Sequence, residues 1–332
     1  MDPSVQIWRE GRAGRIRLNR PKALNALDLE MVRLIREALE GFGADPLVQV
    51  IMLDAPERGF CAGGDIRMLR AAALAGDEAA ATGFFTQEYA MNLAIAELRK
   101  PYVALIDGVC MGGGIGVSVH GSHRIASEKA IFAMPETAIA LFPDVGASYV
   151  LPRLPGELGL YMGLTGARMV GADAVHAGLA THFVPSAKFE ALAAAIMQDG
   201  VAVISEYAEP LPAFSLAAQR RVINEAFSAE SVREILLRLE ADGGAFALAT
   251  LDQLRAHSPS SVHWSFEILR QGAARNLKQC LAAELALVRQ VVMGAEFLEG
   301  VRAMVVDKDK SPKWRPASIE EVEQDAISAL FA

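Results

Sequence analysis

Cysteine is scarce: Cys61, Cys110 and Cys280 are the only three in 332 residues, too few and too far apart for a disulfide framework, and no C-x-x-C spacing offers a zinc site. Their number fits a reducing compartment, where each serves as a small core residue. Positive charge is also short, with 32 Lys and Arg against 40 Asp and Glu and a net charge of −8. A general binder of nucleic acid or of an anionic membrane needs a positive field, so both classes are excluded, while a local basic pocket for an anionic ligand stays open. Uninterrupted apolar runs are missing too. The one stretch of spanning length, 102–119, holds Asp107 and the glycines at 112–114, which suits a buried strand–turn–helix better than a membrane span. Residues 1–21 carry charges throughout and lack the apolar segment of a signal peptide, so a cytoplasmic protein is expected.

Several catalytic signatures are absent as well. No G-x-x-x-x-G-K-[ST] occurs, which leaves nucleotide phosphoryl transfer without support. The run Gly112-Gly113-Gly114-Ile115-Gly116 follows a strand, and Glu136 comes 22 residues after Gly114, roughly where a ribose-binding acid of a dinucleotide fold sits. The spacing nevertheless fails, because Val117 or Val119 occupies the third glycine's place in either frame. Neither 116–120 nor 146–150 completes a G-x-S-x-G elbow. His120 and His123 read as three apart on one helix, with no H-E-x-x-H anywhere, so capping or surface roles outweigh metal binding and no metal is expected.

What is present is an apolar, glycine-rich chain, 52% hydrophobic with 28 glycines, able to bury a large core. Two short strands open it, and a helix follows from Asp28 as N-cap to about Phe42. Next comes VQVIMLDA, a glycine turn GFCAGGD and a helix. The same order recurs as YVALIDGV, CMGGG and IGVSVHGSHRIA. Repeated strand–turn–helix units imply an α/β core, with the form of its sheet left open. From 188 to 332 the periodicity is helical, in FEALAAAIM, SVREILLRLE, CLAAELALVRQVVM and IEEVEQDAISALFA, with a turn at HSPSS. The expected division is an α/β core over 1–187 and a helical region over 188–332 packed on it.

Two features point to chemistry. At each glycine turn a strand ends and a helix begins, leaving backbone N–H groups at a positive helix end that suit an anion or a developing oxyanion. Gly64 and Gly113 are the candidate donors, since a missing side chain lets a carbonyl approach the backbone; tight packing is the plainer explanation of either turn alone. The second feature is acidic. Glu136 and Asp144 stand eight residues apart, each directly after a proline in an otherwise apolar stretch. Facing one pocket, they would raise at least one pKa and suit general acid–base work; as helix caps on a solvated turn they would do neither, and the segment alone leaves the choice even. Glu88, on an amphipathic helix, is a weaker candidate.

The segments NRPKALNALDLEM, GFCAGGDI, MGGGIGVSVHGSHRIASEKAIFAMPETAIALFPDVGASYVLPRL, LTGARMVGADAVHAGLATHFVP and FLEGVRAMVVDKDKSPKWRP together resemble the enoyl-CoA hydratase/isomerase (crotonase) superfamily, and within it the 3-hydroxyisobutyryl-CoA hydrolase branch. The resemblance spans nearly the whole chain. It implies a crotonase-like spiral of repeated ββα units with a helical C-terminal region, and an acyl-CoA substrate held with its carbonyl between the N–H groups of Gly64 and Gly113. Hydratases of this superfamily use two glutamates; the second matches Glu136, but the first falls at Gly116. In the hydrolase branch the acting acids match Glu136 and Asp144, and a pocket-lining acid matches Glu88. Adenine contacts match Lys22, Ala23 and Ala62, and Arg20, Lys22, Lys308 and Lys310 are the cations available for CoA phosphates. CoA is thus part of the substrate, no separate cofactor is implied, and a trimeric or hexameric assembly is common in the superfamily. Dienoyl-CoA isomerases share an acid eight residues beyond the PE glutamate, but the long helical tail and the PxxW-like segment 310–314 resemble the hydrolases. A non-catalytic acyl-CoA-binding protein is the alternative of another class.

Overall fold

The computed structural model describes residues 3–56 and 59–331. Contacts gather the chain into two compact units, each assembled from separate stretches: Met1–Gly64, Gln87–Ala133 and Arg168–Phe214 in the first, Asp65–Thr86, Met134–Ala167 and Ser215–Ala332 in the second. A single cut between 187 and 188 does not give this division. Helix Phe189–Asp199 explains part of the difference, since its Leu192, Ala193 and Ile196 pack on the sheet of the first unit.

The first four helices are α1 (Leu29–Ala44), α2 (Ile66–Leu74), α3 (Glu78–Ala96) and α4 (Gly113–Val119). Asp28 caps α1 as expected, accepting the Met31 N–H at 2.9 Å. Among the described residues all nine strands lie in the first unit. In chain order they are β1 (Val5–Glu10), β2 (Ala13–Leu18), β3 (Val50–Asp54), β4 (Tyr102–Ile106), β5 (Val109–Met111), β6 (His123–Ala126), β7 (Ile131–Ala133), β8 (Met169–Val170) and β9 (His182–Phe183).

The larger sheet has the order β1-β2-β3-β4-β6-β9 and is parallel beyond the β1–β2 hairpin, in which Val5 faces Leu18. The smaller sheet runs β5-β7-β8. After β4 the chain adds β5 to the smaller sheet and then enters α4; after β6 it adds β7 in the same way. The segment after β3 joins the series through an isolated parallel β-bridge between the backbones of Cys61 and Cys110. This is the repeated ββα course, and Gly108 makes its bend between β4 and β5. Gly108 sits at φ +98°, and a Cβ there would lie 2.7 Å from the Cα of Gly59. Every residue of β3 and β4 is buried, as central parallel strands covered on both faces require. Val50, Met52, Val103, Leu105 and Ile125 form the core with helix Phe189–Asp199.

The histidine expectation needs correction. α4 stops at Val119 with His120 as its cap, and His123 already opens β6, so the two do not share a helix face. The reason is steric: a Cβ on Gly121 would lie 2.3 Å from the Tyr102 ring, and Ser122 Oγ accepts the Tyr102 N–H, which fixes a turn here.

The second unit is helical. Helix Pro259–Gly272 begins at the HSPSS segment, where Ser258 accepts the Ser261 N–H at 3.2 Å. The segment IEEVEQDAISALFA is not one helix but a 3-10 turn, Ile319–Glu321, and a short helix, Gln324–Ala329, broken by extended backbone at Val322 and Glu323. Trp314 of the PxxW-like segment donates its indole N–H to the Ala256 carbonyl at 3.2 Å. Gly300, on helix Ala295–Val301, lies so close to the turn at Glu136–Ile139 that a Cβ would stand 2.6 Å from the Ile139 carbonyl carbon. Among the described residues no helix is long and apolar enough to cross a membrane, and no group of three or more His, Cys, Asp or Glu is placed to hold a metal.

Candidate active site

In the first unit the two glycine turns come together. Gly113 is the first residue of α4, where an amide N–H has no partner within its own helix. A Cβ on Gly113 would lie 3.3 Å from the Gly64 nitrogen, 3.2 Å from Leu27 and closer still to Glu88 Oε1. Glycine is required here by space rather than by dihedral, and the same measurement sets the Gly64 amide nitrogen and the Glu88 carboxyl beside the Gly113 α-carbon. Gly64 is held in this position by a bridge to Leu27, whose N–H donates to Gly63 O at 2.8 Å. Glu88 is 2% exposed, so it is not the water-facing helix acid that its amphipathic setting suggests. Cys61 lies close by, its thiol pushed up to about 12, mainly by burial.

The proposed adenine contacts also meet in this unit. Lys22 and Ala23 form the 3-10 turn Pro21–Ala23, and the Ala62 N–H donates to Leu24 O at 3.0 Å, which brings Ala62 alongside that turn. Lys22 is exposed, whereas the Arg20 guanidinium is turned inward to the Ala26 carbonyl at 2.9 Å and to Asp28 at 3.8 Å. Lys308 and Lys310 belong to the second unit, exposed and both at positive φ.

The second unit holds Glu136 and Asp144, 7% and 6% exposed, which rules out the solvated-cap explanation of either. Glu136 opens the 3-10 turn that follows β7, and the residues beside it are tied down. Thr137 Oγ lies 2.9 Å from His257 Nδ1, the Thr137 carbonyl accepts the Ser258 N–H at 3.0 Å, and the Leu141 N–H donates to Glu136 O at 3.0 Å. Glu136 Oε2 is buried with no hydrogen-bond partner. Burial first, and the neighbouring Asp144 charge second, hold the Glu136 carboxyl well above the ordinary glutamate range.

Asp144 starts a turn whose next two residues, Val145 and Gly146, sit at φ +54° and +83°. A positive φ at β-branched valine costs about 1–3 kcal/mol and persists only where surrounding contacts over-determine it. Glu284 supplies such contacts from helix Leu277–Val291. It is fully buried and accepts the Gly146 N–H at 2.8 Å, the Ser148 N–H at 3.0 Å and the Ser148 hydroxyl. Burial pushes its carboxyl up to about 8 against the lowering pull of these donors, with the Asp144 charge adding to the rise.

Glu284 was not among the residues singled out from sequence. Its signal was a lone charge on the apolar face of CLAAELALVRQVVM, four residues after Cys280 and four before Val288, both buried. Asn92 is a second omission. It is fully buried on α3, one turn beyond Glu88, and neither its amide oxygen nor its nitrogen has a hydrogen-bond partner.

Comparison with known proteins adds the family context. The sequence pattern of the Enoyl-CoA hydratase/isomerase family matches residues 13–331. A Xenopus laevis protein named 3-hydroxyisobutyryl-CoA hydrolase, mitochondrial, is 46% identical over 99% of this chain and 89% of its own; the Homo sapiens protein of that name is 43% identical over 98% and 88%. Among solved structures, one titled as a carnitinyl-CoA dehydratase from Mycobacterium thermoresistibile superposes with a TM-score of 0.95 at 38% identity, covering 100% of this chain and 97% of its own. One titled as an enoyl-CoA hydratase from Rhodobacter sphaeroides 2.4.1 gives 0.94 at 41%, covering 99% and 97%. The mitochondrial names overturn the cytoplasmic expectation. Unpaired cysteines suit any reducing compartment, so composition held no address.

Proposed function

Because the chain belongs to the enoyl-CoA hydratase/isomerase family, we propose that it hydrolyses the thioester of a short branched 3-hydroxyacyl-CoA, namely 3-hydroxyisobutyryl-CoA of valine degradation, to 3-hydroxyisobutyrate and CoA. The observation that carries this reading is the buried acid Glu136 with Asp144 beside it, together with glycine at 116, where hydration needs a second carboxylate. The relatives named 3-hydroxyisobutyryl-CoA hydrolase support the substrate.

In this reading the N–H groups of Gly64 and Gly113 take the thioester carbonyl oxygen and stabilise its charge as the carbon becomes tetrahedral, a contribution of about 10²–10³ in rate per donor. Glu136 attacks through one of two routes. As a general base it takes a proton from water while the water oxygen bonds to the carbonyl carbon; as a nucleophile it forms a mixed anhydride that water then cleaves. In either route the C–S bond breaks and the thiolate leaves, taking from Glu136 the proton drawn from water in the first route and a proton from Asp144 or water in the second. Asp144 holds the substrate hydroxyl or delivers that proton, and Glu88 shapes the hydroxyl end of the pocket. The Lys22–Ala23 turn and Ala62 receive the adenine end of CoA. CoA arrives as part of the substrate, so these steps call for no further cofactor.

Substituting Glu136→Gln tests the reading: thiol release from 3-hydroxyisobutyryl-CoA should fall by about 10²–10⁴ while the CoA ester still binds, and unchanged turnover rejects the mechanism. The dehydratase and hydratase titles of the two solved structures make hydration the second reading. Crotonyl-CoA and a 3,5-dienoyl-CoA should be neither hydrated nor isomerised, and efficient conversion of either would restore that rival.

A further inference from the structure

We propose that Glu284 is a positioning residue, which holds the 144–148 turn from the helix Leu277–Val291 and so fixes where the Asp144 carboxylate points. The inference rests on the role given to Asp144 above. Its geometric basis is that one wholly buried carboxyl collects two amide N–H groups and one hydroxyl from the residues two and four places after Asp144.

Packing alone does not call for an acid at 284. The same helix face buries Cys280, Leu281, Leu287, Val288 and Val291, and an apolar side chain would complete it without the desolvation that a carboxyl suffers. What an apolar side chain cannot do is accept the Gly146 and Ser148 N–H groups. Those groups point inward because Val145 and Gly146 take positive φ, a conformation that valine abandons once its restraints are gone. The rest of the turn has little slack. The Ala147 N–H donates to Asp144 O at 2.8 Å, and helix Pro259–Gly272 presses on the far end, where a Cβ on Gly272 would lie 2.0 Å from the Ser148 carbonyl oxygen. With Glu284 in place the backbone that carries Asp144 is fixed at Gly146 and Ser148; without it, relaxation at Val145 swings the residue next to it.

The test compares Glu284→Gln in two backgrounds. Glutamine keeps one acceptor for Ser148 but turns an amide NH₂ toward the Gly146 N–H. In the otherwise unchanged enzyme kcat for thiol release should fall about tenfold to a hundredfold, with KM within about threefold and the far-ultraviolet circular dichroism preserved, as a misplaced catalytic group requires. In an Asp144→Asn background, itself slowed, the same substitution should have no further effect on kcat, because the group it positions is already gone. A role in general stability would lower both backgrounds by the same factor, and that result overturns the proposal, as does wild-type kcat in folded Glu284→Gln. Should Glu284→Gln fail to fold, Ser148→Ala takes its place in the same comparison. It removes only the hydroxyl hydrogen bond, and a fall confined to the Asp144 background supports the proposal, whereas no fall or an equal one overturns it. The two levels separate cleanly. A crippled Asp144→Asn beside an unaffected Glu284→Gln removes the positioning role alone, while an Asp144→Asn enzyme with full kcat removes the underlying reading and the inference with it.

Discussion

Glu136 and Glu284 lie in the same helical unit, are both buried and are both raised above the ordinary glutamate range, yet their surroundings differ in one decisive respect. Glu284 has both oxygens engaged by three donors of the 146–148 turn, whereas Glu136 leaves Oε2 with no partner. Burial alone therefore does not separate the acid proposed to act from the acid proposed to hold. The distinction is whether the protein has already used the acceptor sites of the carboxyl.

Substitution can break this comparison. The largest effect belongs to Glu136→Gln, for which removal of an acid–base group predicts a loss of about 10²–10⁴ in thiol release, read with a thiol reagent. Its stability should stay level or rise, because the variant removes a buried carboxyl whose ionisation beside Asp144 is disfavoured; a fall in Tm of many degrees would show that Glu136 is a structural acid after all. Gly113→Ala comes next. Its methyl group displaces Glu88 and crowds the Gly64 amide, and kcat/KM should drop about a hundredfold with the fold intact. Glu284→Ala leaves the Gly146 and Ser148 amides buried without acceptors, a cost of about 2–4 kcal/mol visible in urea unfolding. The contrast sharpens if Glu136→Gln damages rate and spares stability while Glu284→Ala damages both.

The smallest expected effect concerns pH. Both carboxyls titrate higher in the folded chain than in the unfolded one, so the native state binds more protons than the denatured state over the intervening range. Stability is then greatest below the unfolded value of 4.5 and is lost as pH rises toward the folded value, about 8 for Glu284. Tm should decline with pH across this window from these two groups, and Glu284→Gln should flatten part of the slope; an unchanged slope would mean that Glu284 titrates normally. Activity carries the opposite sign. A base or nucleophile must be ionised, so kcat/KM should rise with pH on a limb displaced above 4.5, and Glu136→Asp should move that limb.

The local code was legible. Strand, glycine turn and helix recur because apolar runs, glycines and N-caps sit within a few residues of one another, and Asp28 caps α1 as its spacing predicts. The acids at 136 and 144 stood out because each interrupts an apolar stretch. Long-range placement was not legible. Glu284 meets amides 136 and 138 residues away, and nothing near it in the chain records that meeting. The same limit explains the 187/188 boundary, since periodicity identified the helix Phe189–Asp199 but not the sheet that receives it. His120 and His123 illustrate a third case, in which a Tyr102 ring distant in sequence ends a helix that local pattern would continue.

Gly300 has no group that can take part in chemistry, yet its backbone lies against Ile139 at the end of the turn that Glu136 begins. In a saturation scan scored by turnover, position 300 would therefore rank with the acids, since even one added methyl group has to push that turn aside. An allele carrying such a change would present in kinetics as a catalytic defect, 164 residues from the carboxyl it disturbs.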